Sequence, residues 1–108
     1  MYAKFSSDYS TSGSLISFPK DTGKDTPDYQ TISWHAATPP GTNLTIEVRA
    51  GKPNDWGGID WTSWYEVSNN QEIPPDLDNY RYIQYRANFS TSDSSVTPIL
   101  YDITIYYK

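Results

Sequence analysis

The chain has no cysteine, which excludes disulfide bonds and thiolate metal sites. Its 108 residues contain one histidine and 8 basic residues against 13 acidic ones, giving a net charge of −5. The basic residues are scattered, so there is no cationic track of the kind that binds a nucleic-acid backbone. We therefore expect no nucleic-acid partner.

Long apolar runs are absent as well. No segment approaches the roughly 20 apolar residues that a membrane-spanning helix needs. The first ten residues, MYAKFSSDYS, lack the basic region and apolar run of a signal peptide. We expect no membrane span and no signal peptide in this chain. The Met at its start favours either a complete small gene product or an excised module.

Hydrophobic residues make up 36% of the chain, and aromatic residues make up 16%, with ten tyrosines among them. Such side chains supply large buried areas with a polar tip. A chain of this length is one domain and buries about two thirds of its unfolded surface. We predict a single domain over residues 1–108, with residues 1–13 as an N-terminal arm.

The apolar pattern has a period of two and no helical spacing, and Pro and Gly separate the runs. Six main strands are predicted, with a short seventh at Glu72 and Ile73: SLISF, QTISWHA, NLTIEVRA, WTSWYEVS, YRYIQYRANFS and PILYDITIYY. Turns at short intervals without helices between them favour antiparallel pairing. The predicted fold is therefore all-β, an antiparallel two-sheet β-sandwich of jelly-roll type.

Alternation also assigns the inward side chains of these strands. In PILYDITIYY the isoleucines and Tyr101 and Tyr107 are predicted inward, and Leu100 outward. In QTISWHA, Ile32, Trp34 and Ala36 are predicted inward. The other two long strands are expected to bury Leu44, Ile46, Val48, Ala50, Ile83, Tyr85, Ala87 and Phe89.

Three segments carry a family resemblance: GTNLTIEVRAG, WTSWYEV and YRYIQYRANFSTSDSSVTPILYDITIYY. Their order resembles that of bacterial, archaeal and phage surface modules of the jelly-roll type, related to galactose-binding-like (discoidin-like) and carbohydrate-binding β-sandwiches. The resemblance covers residues 14–107 and implies a non-catalytic accessory module. It does not fix a ligand, because likeness of fold does not establish function.

The sequence gives little support for a catalytic site. His35 is placed outward on its strand with no nucleophile signature near it in the sequence. Asp55, Asp60 and Glu66 lie near the tryptophans, where paired carboxylates could serve glycoside hydrolysis. Nothing in the sequence around Asp55 and Asp60 would raise a pKa. We expect no enzyme.

The acidic segment DTGKDTPD offers three carboxylates for a cation, those of Asp21, Asp25 and Asp28. Their spacing is not that of an EF-hand. The resembling modules often carry one structural calcium near such a loop, so a single calcium ion is the cofactor alternative. The other interpretation is a solvated turn whose aspartates bond to the local backbone.

Three tryptophans lie close together at Trp56, Trp61 and Trp64. A strand over residues 61–67 would place Trp61 inward with Tyr65 and Val67, and leave Trp64 half covered on the opposite face. Trp56 stands in a Gly-rich loop beside Asp55 and Asp60, where a sugar could stack on it or a surface protein could use it as an anchor. The alternative is a tryptophan folded back over the sandwich.

The outward faces give a second candidate surface. Arg49, Tyr82, Gln84, Arg86 and His35 form a polar plate if their strands adjoin in one sheet. Its arginines could bind a ligand. Otherwise they pair internally with Glu47, Glu66 or Asp102.

Two non-enzymatic functions follow. The first is a recognition or adhesion module that binds glycan on a cell or particle surface, through Trp56, Asp55, Asp60 and Trp64 together with the polar plate. The alternative is a virion structural protein, such as a phage head decoration or tail component. Its partner would be a shell or further copies of itself, and self-association is expected if the closing strand lies at a sheet edge. The expected location is extracellular, cell-surface or virion.

Overall fold

The structure, a computed structural model, describes residues 2–6, 13–92 and 95–108, with the backbone alone for 2–6. The described residues contain no α-helix. One 3₁₀ turn spans Pro75–Leu77. The strands are β1 Tyr2–Ser6, β2 Gly13–Ile16, β3 Lys20–Asp21, β4 Tyr29–Ala37, β5 Thr42–Pro53, β6 Ile59–Trp61, β7 Tyr65–Val67, β8 Gln71–Glu72, β9 Tyr82–Thr91 and β10 Ile99–Tyr107.

The strands form two antiparallel sheets. The first sheet has the order β1-β10-β4-β8, and the second has the order β2-β9-β5-β6. The short β3 also pairs with β9, and β7 also pairs with β5. This arrangement confirms the predicted all-β, two-sheet antiparallel sandwich, whereas its jelly-roll type stays a prediction.

The core lies between the sheets and follows the predicted alternation most closely in β5 and β9. These strands pair over ten positions, with Val48 opposite Tyr85. Burying one face of each strand fixes this register, because a slip of one residue would expose the whole apolar set. The buried apolar side chains of β5 and β9 are Ile46, Val48, Ala50, Ile83, Tyr85, Ala87 and Phe89, and Leu44 is half-buried against them.

The alternation predicted for the closing strand is wrong at its start. The register between β10 and β4 shifts between Leu100 and Asp102. The extra residue of such a bulge exchanges the two faces of the strand. Leu100 is therefore fully buried and Tyr101 is 52% exposed, whereas Ile103 and Ile105 are buried as predicted.

The closing strand is not an edge strand. β10 lies between β1 and β4, so the condition on which self-association was expected is not met. Its neighbour β1 uses Tyr2–Ser6, so this part of the predicted N-terminal arm belongs to a sheet. Residues 7–12 lie outside the described residues. In β4, Ile32 is buried and Trp34 half-buried as predicted, but Ala36 is exposed.

The strand predicted over residues 61–67 is interrupted. Trp61 pairs with Gly51 and Tyr65 pairs with Val48, while the three residues between them are in neither strand. The Thr62 hydroxyl accepts the Ala50 amide hydrogen bond at 3.1 Å in this irregular segment. The interruption changes the phase of the alternation. Trp61 is therefore opposite Gly51 on the outer face of the second sheet, and its predicted burial with Tyr65 and Val67 is wrong.

Candidate functional site

The outer face of the second sheet carries a stack of indole and guanidinium groups, here called the Trp–Arg ladder: Trp61, Arg49, Trp64 and Arg86. The Arg49 Cζ atom lies 4.5 Å from the centroid of the Trp61 ring and 4.4 Å from that of Trp64. The Arg86 Cζ atom lies 4.5 Å from the Trp64 centroid. Each of these distances is within the range of a cation–π interaction.

Strand pairing explains the order of the ladder. Arg49 on β5 is opposite Gln84 on β9, and Arg86 on β9 is opposite Glu47 on β5. Glu47 and Arg49 are two residues apart, so they share the outer face of their strand. The two arginines are therefore diagonal neighbours, and the irregular segment before β7 allows the Trp64 indole to contact both.

The first arginine, Arg49, is fixed by a buried amide. Its Nε donates to Gln84 Oε1 at 2.8 Å, and Gln84 Nε2 donates to the Ser17 carbonyl oxygen at 2.8 Å. Gln84 is 6% exposed although alternation predicts it outward. A buried amide with both ends bonded holds the guanidinium in one orientation.

The second arginine, Arg86, pairs with an acid inside the protein. Its Nε and Nη2 donate to the two carboxylate oxygens of Glu47 at 3.0 and 3.1 Å, and Asn88 Nδ2 donates to the same carboxylate at 2.7 Å. Two parallel bonds of this kind are strong and directional. For Arg86, the alternative prediction that the arginines pair with acids inside the protein is therefore correct.

No such acid pairs with Arg49 among residues 13–92 and 95–108. Its pKa is lowered, first by burial and then by the charge of Arg86. Both causes disfavour the protonated guanidinium. Arg49 remains charged because its ordinary pKa is far above neutral.

Of the two remaining members of the predicted plate, Tyr82 is on the same face of the second sheet as the ladder but outside its stack, and His35 lies on the other sheet. Tyr82 is opposite Gly51, and the Arg81 Cζ atom lies 5.7 Å from its ring centroid. His35 is on the first sheet, where its Nδ1 lies 2.7 Å from Asp102 Oδ1. A plate that includes both His35 and the arginines is therefore wrong.

The loop between β5 and β6 displays Trp56, whose side chain is 93% exposed. Asn54 organises this loop, because its Oδ1 accepts the backbone N–H groups of Trp56 and Gly58 at 2.9 Å each. Asn54 Nδ2 also donates to Asp60 Oδ1 at 3.0 Å. Gly57 has a φ of 82°, which side chains with a Cβ rarely adopt. The alternative of a folded-back Trp56 is wrong.

Carboxylates around this loop have different surroundings. Asp55 is exposed beside Trp56, and Asp60 is held by Asn54. Glu66 is directly opposite Glu47 across β7 and β5. All three acidic residues are exposed, and Asp55 is the one next to Trp56 in the chain.

The proposed calcium ligands do not form a cluster in the described residues, where no group of three His, Asp or Glu side chains could hold a metal. Asp21 accepts from Arg81 Nε at 2.8 Å and Nη2 at 3.1 Å, and from the Gly23 amide at 2.8 Å. These bonds lower the pKa of the Asp21 carboxyl, with the Arg81 hydrogen bond as the largest cause. Asp25 and Asp28 are exposed.

A groove that sequence reasoning missed lies beside the C-terminal half of β4. It encloses about 480 Å³ and is lined by Trp34, His35, Leu44, Asn69 and Tyr101, among others. Asn69 lines it because its side chain bonds the Trp34 backbone, donating to the carbonyl and accepting from the amide at 2.8 Å each. The sequence gives no signal for the groove, since the bulge that brings Tyr101 outward is not visible there.

Comparison of the chain with protein-family models, with curated proteins and with solved structures gives no match. The resemblance to discoidin-like and carbohydrate-binding modules therefore stays a prediction. Within the part of the chain that the structure describes, no helix has the length and apolar character to cross a membrane.

Proposed function

We propose that this protein is a non-catalytic recognition or adhesion module, displayed on a cell or particle surface, that binds glycan through the ring of Trp56. The observation that carries the proposal is the 93% exposure of Trp56 on a loop held by the side chain of Asn54. An indole in water has no stabilising role in the fold. Its display is explained by a ligand that covers it.

The chemistry of the loop suits a sugar. The apolar face of a sugar ring can pack on the indole and gain the free energy of removing both surfaces from water. Asp55 is exposed beside the ring, where its carboxylate can accept hydrogen bonds from sugar hydroxyl groups. Gly57 and Gly58 leave room for a ligand to approach the backbone.

Order in the free loop also favours binding. Asn54 accepts the backbone N–H groups of Trp56 and Gly58 and binds the Asp60 side chain, so the backbone that carries the Trp56 ring is restrained before a ligand arrives. Each side chain or loop that must be ordered on binding costs free energy. A restrained Trp56 therefore retains more of its contact energy.

Of the other predicted ligand residues, Trp64 and Arg86 belong to the ladder and act here by supporting the sheet. The fold suits the role: the chain passes repeatedly between the two sheets, and we propose a jelly roll, which is common in lectin domains.

A second candidate is a virion structural protein, favoured by exposed apolar side chains at the opposite edge of the second sheet. Phe18 is 90% exposed and Ile16 is 50% exposed, and both lie at the edge formed by β2 and β3. Unpaired edges with apolar side chains favour association with another chain. This candidate predicts an oligomer held through Phe18 instead of a sugar-binding monomer.

The test measures the mass of the protein in solution and its binding to a glycan panel. Trp56→Ala is compared with Phe18→Ala, which removes an equally exposed aromatic from a different place. Glycan binding that is lost in Trp56→Ala and kept in Phe18→Ala supports the recognition module. An oligomer that binds no glycan, and that dissociates in Phe18→Ala, contradicts it and supports the virion protein.

A further inference from the structure

The three arginines of the chain differ in how their charge is balanced. Arg81 is bonded to Asp21, and Arg86 is bonded to Glu47. Arg49 makes one side-chain hydrogen bond, to the neutral amide of Gln84. It is thus a partly buried cation with no acid partner among the described residues.

The free part of the Arg49 guanidinium is its terminal fork. Nε is occupied by Gln84, and the guanidinium carbon lies 4.5 Å from the centroid of the Trp61 ring and 4.4 Å from that of Trp64. No side-chain nitrogen among the described residues is both buried and without a partner, so the Nη atoms reach solvent. A planar fork held in this way matches the two oxygens of a carboxylate.

We propose that Arg49 binds the carboxylate group of an acidic sugar, so that the glycan ligand is a uronic or sialic acid. This inference rests on the proposed function and adds a second contact to it. Along β5, Pro53 at the base of the Trp56 loop is four residues from Arg49, roughly 13 Å at the rise of a strand. Trp56 lies three residues beyond Pro53, so an oligosaccharide of several residues is needed to contact both Trp56 and Arg49.

An external carboxylate would supply what the internal environment of Arg49 lacks. Burial and the neighbouring charge of Arg86 both lower the pKa of Arg49, and an anion at the fork would offset both effects. The net charge of −5 does not attract anions at long range. We therefore expect a short-range contact that selects between bound sugars.

The experiment compares a tetrasaccharide that ends in glucuronic acid with the matching tetrasaccharide that ends in glucuronamide, in which a neutral amide replaces the carboxylate. Both are titrated into the full chain at neutral pH and followed by NMR at the Trp56 indole N–H and the Arg49 Nε–H. The wild type is expected to bind the acid about tenfold more tightly than the amide, since one charge-assisted contact is worth about 1.5 kcal/mol or more. Acetate alone is a third probe.

Arg49→Gln is expected to abolish the preference for the acid, while Arg81→Gln, the matched control, keeps it. If Arg49→Gln does not fold, Arg49→Lys decides, because lysine keeps the charge but lacks the fork and should lose most of the preference. A preference for the acid that survives in the Arg49 variant overturns the inference.

The remaining outcomes separate this inference from the proposed function. Equal binding of acid and amide in the wild type, both lost in Trp56→Ala, overturns the role of Arg49 and leaves the glycan module intact. Acetate that shifts the Arg49 signal while no sugar binds supports the carboxylate site and overturns the glycan function.

Discussion

Replacing Trp64 with alanine tests whether the Trp–Arg ladder stabilises the fold. The indole lies 4.4 Å from Arg49 and 4.5 Å from Arg86. Two cation–π contacts at partly exposed sites contribute about 0.5–1 kcal/mol each. Loss of the apolar contact made by a half-buried indole adds about 1 kcal/mol. We expect Trp64→Ala to lower the free energy of unfolding by about 2–3 kcal/mol.

The assay is urea unfolding followed by far-ultraviolet circular dichroism. Trp56→Ala is the control, because it removes the same side chain from a position that is 93% exposed. That variant should stay within about 0.5 kcal/mol of the wild type, as is usual for exposed positions without partners. Equal slopes against urea in all three proteins would show that the unfolded states are comparable.

A double-mutant cycle with Arg86→Gln identifies the source of the effect. If Trp64 stabilises partly through the cation–π contact with Arg86, the two substitutions should show a coupling free energy of about 0.5–1 kcal/mol. Additive effects would mean that the cation–π contact between Trp64 and Arg86 does not contribute to stability. Trp64→Ala as stable as Trp56→Ala would refute the whole account of the ladder.

Two further predictions concern packing and pH. A Cβ on Gly51 would overlap with Ile59 Cγ2 and lie 2.8 Å from Trp61 Cε3, whereas a Cβ on Gly58 would come no closer than 3.4 Å to Asn54. We therefore expect Gly51→Ala to lower the free energy of unfolding by about 1–3 kcal/mol and Gly58→Ala to change it little. Equal free energies of unfolding for the two variants would contradict the close packing at Gly51. Burial raises the pKa of Tyr29 well above its ordinary value of 10.0. Tyr29 contributes stability below pH 10, its ordinary pKa, and the contribution is lost as the pH rises above 10. The protein should therefore lose stability above pH 10, and the loss should be smaller in Tyr29→Phe. Identical stability profiles against pH for the two proteins would contradict this.

Period-two alternation predicted the core where strands pair without interruption. Ile83, Tyr85 and Phe89 are buried in β9 because both neighbouring strands follow its pleat. The same rule failed at Leu100 and Tyr101, where a bulge adds one residue to the ladder and exchanges the faces. A bulge leaves the local composition unchanged, so the sequence carries no sign of it.

The candidate site was less predictable because it depends on strand order. Arg49 and Arg86 are neighbours since β5 pairs with β9, and His35 is excluded because β4 belongs to the other sheet. The sequence also does not show which arginine pairs with Glu47. Glu47 lies opposite Arg86, which leaves Arg49 without an acidic partner among the described residues. The residue types suggested the polar plate, but only the pairing of the strands shows which arginine has an acidic partner.

The three tryptophans have two different roles that depend on each other. Trp61 lies against Gly51, where the absence of a side chain allows the indole to approach β5 and stack on Arg49. This contact fixes β6 to β5 at the base of the loop that carries Trp56. A displayed ring on a mobile hairpin would spend part of its contact energy on being ordered when a ligand binds. Because the ladder restrains the base and Asn54 restrains the loop backbone, we expect the indoles of the ladder to support the proposed glycan binding at Trp56 without contacting the glycan.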